Sequence, residues 1–179
     1  MTAHCFGEDC LPDLLAAGID CIEHGTGLLP EPIDLAERSG VAIVPTMVNT
    51  LNFSSFADAA EEKFPAYAAR MRRLEGTRHS VLREAYDAGV PLYAGTDAGG
   101  SLAHGQLAAE VAEFVAAGIP ALAALDAACW GARSWLARPG LEEGASADLV
   151  VLEEDPRADV RVLAAPGAVV LRGRVVRTR

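Results

Sequence analysis

Clusters of basic residues and long apolar runs are both missing from this sequence. The net charge is −10, with 15 lysine and arginine residues against 25 aspartate and glutamate residues. The basic residues are dispersed until the last few positions, whereas nucleic-acid partners attract dense patches of them. No stretch approaches the about 20 consecutive apolar residues of a membrane span. The composition therefore argues against both a nucleic-acid partner and a membrane partner.

Cysteine is also scarce, with Cys5, Cys10, Cys21 and Cys129 in a chain of 179 residues. So few cysteines in a chain of this size predict reduced thiols rather than a disulfide framework. Cys5 and Cys10 could form half of a metal site, but their spacing is wider than in most zinc knuckles. The stretch MTAHCFGEDC lacks the charged-then-apolar pattern of a secretory signal. We therefore expect a cytoplasmic protein.

What the sequence does contain is a repeated order of helix, small-residue turn and short apolar strand. The stretches CLPDLLAAG and PEPIDLAERSG predict helices closed by glycine, and IDCIEHG and VAIVPT predict the strands that follow. A longer helical region, interrupted near Pro65, leads to a further strand in VPLYAGTD. Helices that alternate with nearly continuous apolar strands are typical of parallel β/α units. The predicted fold class is therefore α/β.

Polar residues stand where these strands end. His24, Thr46 and Asp97 are at such ends, and His4 is too if the residues before it close an earlier strand. Side chains at the carboxyl ends of parallel strands converge on one site. Neutral imidazole is a good zinc ligand, and a carboxylate can take a proton from metal-activated water. Alternatively, each histidine is an ordinary satisfied polar group, and Asp97 is the N-cap of the helix that follows.

The last part of the sequence has a different composition and a different predicted secondary structure. Two helical stretches, HGQLAAEVAEFVAAG and PALAALDAACWGARSWLA, are followed by the β-rich segments GLEEGASADLVVLEEDP and APGAVVLRGRVVRTR. Glycine and Asp-Pro turns separate these later segments, which predict strands of a small second sheet. We place the boundary near residue 139, with one domain over residues 1–139 and a second over 140–179.

Taken together and in order, several motifs resemble the metal-dependent amidohydrolase superfamily. They are AHCFGE, CIEHGTGL, VPT, GTDAGG followed by His104, and the tail GLEEGASADLVVLEEDP with VVLRGRVV. The branch they resemble most is the imidazolonepropionase-like and Xaa-Pro-dipeptidase-like one. The resemblance covers essentially the whole chain. It implies the C-terminal half of a distorted (β/α)8 TIM-type barrel, strands 5–8, followed by part of a small β-sandwich domain.

The resemblance also implies roles for individual residues. His4 and His24 would bind one divalent metal, with zinc the expected ion. Asp97 would bind a second metal and take the proton from the attacking water. His104 would touch the substrate or cap its helix. The implied activity is hydrolysis of a C–N bond, in an amide or cyclic amide, by metal-activated water. Dipeptidase-like and deaminase-like variants of this chemistry are not separated by these motifs.

The sequence departs from the family pattern in three places. It has no counterpart of the His-x-His motif of strand 1, and none of the bridging lysine or glutamate of strand 4. The one lysine, Lys63, lies in a charged helical stretch, and Phe6 stands where many relatives have a second histidine. We therefore expect a truncated chain that acts within an intact hydrolase on a small-molecule substrate. The alternative is a non-catalytic half-barrel that acts by association, as a homo-oligomer or with a complementing N-terminal half.

Overall fold

The first quarter of the chain forms a small parallel sheet with helices between its strands. The computed structural model describes residues 1–178. Its first elements are β1 (Thr2–Cys5), α1 (Leu11–Ala16), β2 (Cys21–His24), α2 (Pro30–Ser39) and β3 (Ala42–Val44). The strands pair in parallel in the order β1-β2-β3, so that Cys5 lies opposite His24. The predicted α/β class is confirmed.

The predicted strand in VPLYAGTD is shorter than expected. It contributes one parallel bridge, between Ile43 and Leu92, beside β3. The amide of Ile43 donates to the carbonyl of Pro91 at 2.9 Å, and the amide of Tyr93 donates to the carbonyl of Ile43 at 3.0 Å. The next amide, that of Ala94, donates instead to the carbonyl of Ala127 at 3.0 Å. The backbone therefore leaves the sheet early, on its way to Asp97.

Six helices follow β3 before the chain reaches its second sheet. They are α3 (Met47–Thr50), α4 (Phe53–Ala60), α5 (Pro65–Ala88), α6 (Leu107–Ala116), α7 (Ala121–Ala128) and α8 (Trp130–Trp135). The predicted interruption lies at Pro65, which begins α5 because a proline in the first helical turn needs no amide hydrogen. Within residues 1–178, no helix is both long and apolar enough to cross a membrane.

Buried side chains join the helices to the sheet. One cluster contains Leu11, Ile22, Ile33 and Ile43, which fill the space between β1–β3 and the helices around them. A second contains Met47, Leu82, Val111, Phe114 and Leu125, and a third is built around Phe53 and Met71. Because β2 carries Cys21 and Ile22 almost completely buried on opposite faces, it is a central strand with both faces covered.

The end of the chain forms a separate antiparallel sheet. Its strands are β4 (Leu149–Val151), β5 (Ala168–Leu171) and β6 (Arg174–Thr178), with a 3-10 helix at Val160–Ala164 after β4. A tight turn at Arg172 and Gly173, with φ of 51° and 74°, joins β5 to β6. Apolar side chains remain exposed on this sheet, for example 63% of Val175. The domain boundary near residue 139 stays a prediction.

Candidate functional site

His4 and His24 meet at the ends of two neighbouring strands. The parallel register places Cys5 opposite His24, so the two histidines come from adjacent positions on one edge of the sheet. Nε2 of His24 lies 2.7 Å from Nδ1 of His4, and the two rings are arranged edge to face. His24 is buried, whereas His4 is exposed. The structure therefore brings together two of the predicted metal-site residues.

Thr46 at the end of β3 holds the other nitrogen of His24. Its Oγ1 lies 2.6 Å from Nδ1 of His24, and both side chains are buried. When Nδ1 carries the ring proton and donates it to Thr46, the lone pair of Nε2 faces His4. Metal-binding histidines commonly have their second nitrogen fixed by a hydrogen bond of this kind. The sequence pattern placed Thr46 at a strand end, where it could line the pocket, with packing an equal explanation.

His24 is held in its neutral form. Burial lowers the pKa of His24 to about 4, and the neighbouring His4 acts in the same direction, while the charge of Asp97 acts in the opposite one. At neutral pH the imidazole therefore has a free nitrogen lone pair. This is the protonation state in which a histidine binds a metal ion.

The histidine pair fits a divalent ion such as zinc as two of its ligands. Two nitrogens on a tetrahedral zinc lie about 3.3 Å apart, given the usual zinc–nitrogen bond length. The 2.7 Å between His4 Nδ1 and His24 Nε2 needs only a small separation of the rings to reach that value. Within residues 1–178, however, no three His, Cys, Asp or Glu side chains are close enough to hold one ion.

Asp97 has a hydrogen-bond partner of its own, although its charge also acts on His24. Its Oδ2 accepts a hydrogen bond from the side-chain amide of Asn49 at 2.9 Å. Asn49 is buried within α3, and Asp97 is exposed. No helix begins directly after Asp97, because α6 starts only at Leu107. The alternative that Asp97 is a helix N-cap is therefore wrong.

Three residues of the site have left-handed backbones. His24, Thr46 and Asp97 have φ angles of 71°, 48° and 53°. Elsewhere in residues 1–178, only Ala137 and Arg172 among the non-glycine residues have positive φ. This conformation costs an L-residue about 1–2 kcal/mol and concentrates at functional positions. The strain therefore marks three of the positions that the sequence singled out.

Glu110 is a buried carboxylate close to the site that the sequence did not reveal. It is fully buried in α6, and its two oxygens accept the amides of Met47 and Val48 at 2.7 and 2.8 Å. Burial raises the pKa of Glu110 to about 7, although these two hydrogen bonds act to lower it. Its place beside the buried Val111 was a signal in the sequence, since a carboxylate there interrupts an apolar face.

Phe6 forms an apolar wall beside the histidines. Its ring centroid lies 4.4 Å from that of His4, 4.5 Å from that of His24 and 4.9 Å from that of Phe53. Phe53 is fully buried, so Phe6 is supported from behind by the core. The histidine pair therefore has a nonpolar surface on one side.

His104 lies next to Gly99 in the loop between Asp97 and α6. The side chain is exposed, and a Cβ added to Gly99 would come within 3.2 Å of its Cε1. His104 makes no side-chain capping bond to α6, whose N-cap residue is Gln106. A helix cap is thus not its role, and contact with the substrate stays a prediction.

We expect Gly27→Ala to distort the loop that follows His4. A Cβ on Gly27 would lie 2.6 Å from the carbonyl carbon of Gly7, 2.7 Å from the amide nitrogen of Glu8 and 2.8 Å from the carbonyl oxygen of Phe6. All three are backbone atoms, so no side chain can move aside. The free energy of unfolding should fall by roughly 1–3 kcal/mol, as for other overpacked sites, and urea unfolding measures it.

Gly76→Ala is the matched control for that substitution. Gly76 lies within α5, and nothing lies within 4 Å of an added Cβ. Alanine there should raise the free energy of unfolding by roughly 0.5–1 kcal/mol, because glycine is a poor helix former. A Gly27→Ala protein as stable as the unmodified chain would contradict the close packing of the two loops.

Known proteins resemble the chain in sequence over almost its whole length. Residues 1–176 match the amidohydrolase family. An uncharacterized protein of Mycobacterium tuberculosis and one of Mycobacterium bovis are each 53% identical to the chain over 174 residues, which is 97% of the chain and 47% of each relative. The chain therefore spans about half the length of these relatives.

Solved structures also match nearly the whole of this chain, and in each case the match covers less than half of the known protein. A Xaa-Pro dipeptidase with methionine bound in its active site superimposes with a TM-score of 0.85 at 28% identity, covering 97% of the chain and 44% of the dipeptidase. The ochratoxinase of A. niger superimposes with a TM-score of 0.80 at 26% identity, covering 99% of the chain and 41% of the ochratoxinase. Nearly the whole chain is matched in both comparisons.

Proposed function

Because the chain belongs to the amidohydrolase family, we propose that it supplies part of the active site of a metal-dependent hydrolase acting on C–N bonds. The bonds attacked are those of an amide or cyclic amide. The observation that carries the proposal is the approach of His4 Nδ1 to within 2.7 Å of His24 Nε2, with Thr46 fixing the second nitrogen of His24. Two ring nitrogens brought this close together can bind the same metal ion.

The architecture assigned to the complete enzyme is a closed barrel. The parallel order β1-β2-β3, continued by the bridge at Leu92, supports strands 5–8 of a distorted (β/α)8 barrel in residues 1–139. Residues 140–179 would be part of a small β-sandwich. A barrel needs all eight strands to cover its two edges. The relatives of about twice this length would have room for the other four.

The proposal gives the histidine pair and Asp97 different roles. His4 and His24 would hold one divalent ion, zinc by the nature of the ligands, and Asp97 a second. When bound, zinc lowers the pKa of water to about 7 and polarises the scissile carbonyl. Asp97 accepts the proton of the attacking water and returns it to the leaving nitrogen, so that water adds across the C–N bond. Since Asn49 bonds to Oδ2, the free Oδ1 of Asp97 is the oxygen that carries the proton.

The substrate we propose is an amide with an apolar group next to the scissile bond. The wall formed by Phe6 beside His4 and His24 supports this choice, because it has no polar atom to pair with a charged side chain. The likeness to a Xaa-Pro dipeptidase supports a dipeptide-like compound. A deaminase-like substrate remains the other member of the same chemical class, with His104 as a contact in either case.

Removal of the metal tests the proposed function. We expect the catalytically competent protein to lose hydrolysis of Xaa-Pro dipeptides on dialysis against a chelator and to regain it on addition of Zn²⁺. The reason is that neither water nor the carbonyl is activated by the side chains alone. Product formation is followed by the release of free proline, with a purine or pyrimidine amine as the comparison substrate for deamination. Full turnover by protein shown to be free of metal would contradict the proposed function.

A non-catalytic role by association is the second candidate. It is favoured by the absence, among residues 1–178, of a third side chain close enough to complete a metal site with the histidine pair. In that case the chain would bind a partner half-barrel without restoring turnover. Activity measured in the complex with such a partner separates the two candidates.

A further inference from the structure

The single-turn helix α3 connects the two separate parts of the candidate site. Thr46, directly before it, makes the 2.6 Å hydrogen bond to His24. Asn49, within it, makes the 2.9 Å hydrogen bond to Asp97. A shift of α3 would therefore move both the histidine pair and the carboxylate.

A helix as short as α3 is not stable by itself. Four residues form too few internal hydrogen bonds to offset the cost of nucleation, and the first amides of any helix lack intrahelical partners. In this chain the amides of Met47 and Val48 are bound by the two oxygens of Glu110 from α6. The position of α3 is thus set from a distant part of the sequence.

Thr46 would ordinarily serve as the cap of α3. It occupies the N-cap position, where a threonine hydroxyl usually accepts an amide of the first turn. Here it makes no such bond, its φ is 48°, and its hydroxyl is directed at His24. Glu110 takes over the capping of α3, and Thr46 is left free to hold the histidine.

We infer that Glu110 is a positioning residue for C–N bond hydrolysis, which aligns His24 and Asp97 through α3. The inference rests on the proposed function of these two residues. An apolar side chain at position 110 would satisfy the packing of α6, yet it would leave two buried amides unpaired. The buried carboxylate is therefore explained by the capping of α3, and not by packing alone.

The test uses the 179-residue chain in complex with the N-terminal half of the mycobacterial relative, Zn²⁺ alone and the substitution Glu110→Gln. A glutamine keeps the shape but has one oxygen, so one of the two amides loses its acceptor. Zinc affinity is measured by competition with a chromophoric chelator, and the ring N–H of His24 is followed by NMR. We expect affinity to fall by about 10- to 100-fold, as for other partners of metal ligands, and the N–H signal to broaden or disappear.

Ile33→Val is the control, because Ile33 is buried in α2 within the first core cluster, which contains no residue of α3. It should lower the melting temperature while leaving zinc affinity and the His24 signal unchanged. Should Glu110→Gln fail to fold, Glu110→Asp takes its place. Aspartate keeps the charge but is too short to reach both amides, so the same losses are expected.

The outcomes separate this inference from the proposed function. Unchanged zinc affinity and an unchanged His24 signal in folded Glu110→Gln would overturn the positioning role. Equal losses in Ile33→Val would overturn it as well, because they would reflect stability alone. If the unmodified complex binds no zinc, the metal site proposed for it fails. The NMR signal then decides the role of Glu110 without reference to the metal.

Discussion

We expect Asp97→Asn to lower kcat for C–N bond hydrolysis by about 10²- to 10⁴-fold, the usual contribution of a general base. The amide of asparagine cannot accept the proton of the attacking water, and it therefore cannot return one to the leaving nitrogen. KM should change much less, because the substrate contacts assigned to Phe6 and His104 are untouched. Steady-state kinetics on the catalytically competent protein measure both parameters.

The substitution is informative because it preserves the local structure. Asparagine has nearly the same shape as aspartate, and its oxygen can still accept the amide of Asn49 that now bonds to Asp97 Oδ2. The loss of activity would therefore reflect the loss of the base and of a metal ligand rather than a displaced loop. Zinc content measured beside kcat separates these two contributions.

Asp87→Asn is the control for this experiment. Asp87 is an exposed carboxylate on α5 that pairs with Arg83 at 2.6 Å and has no role in the proposed chemistry. Its replacement should leave kcat unchanged. Full turnover by Asp97→Asn would rule out Asp97 as the base and would return the assignment to a residue outside this chain.

The second large effect is expected when the chain is combined with the N-terminal half of its mycobacterial relative. Alone, residues 1–179 should be inactive and should associate with themselves. The reasons are the exposed edge of β1 and the apolar side chains left uncovered on the second sheet, among them Val175 and Val176. Co-expression with the N-terminal half of the mycobacterial relative should give a discrete one-to-one complex with zinc-dependent activity.

Light scattering, zinc content and turnover test this expectation together. The control is the C-terminal half of the same relative, joined to the same N-terminal half, which should reassemble at least as well. A stable monomer of residues 1–179 that unfolds cooperatively in denaturant would contradict the half-barrel assignment. A discrete complex without turnover would favour the non-catalytic role instead.

The sheet and the strand-end residues could be predicted from sequence because both depend on local pattern. Alternating helices and apolar strands identify parallel β/α units, and a parallel sheet then brings the ends of β1, β2 and β3 to one edge. That geometry is enough to place His4, His24 and Thr46 near one another. The extent of the segment at Leu92 could not be predicted, because it depends on the competing bond from Ala94 to Ala127.

Asn49 and Glu110 were missed for a physical reason. Helix α3 is too short to produce a periodic pattern, so nothing in the sequence distinguishes Asn49 from a loop residue. Glu110 acts on amides 62 and 63 positions away in the sequence, and local patterns carry no information about contacts at that separation. Supporting residues of this kind become visible only when the fold brings them together.

The left-handed backbones of His24, Thr46 and Asp97 set stability against chemistry in this chain. Glycine would adopt φ angles of 71°, 48° and 53° without a steric penalty, yet it would remove every side chain on which the site depends. Replacement by glycine at these positions would therefore relieve the backbone strain and remove the candidate site in the same step. His24 and Thr46 are also buried, so glycine there would leave cavities as well.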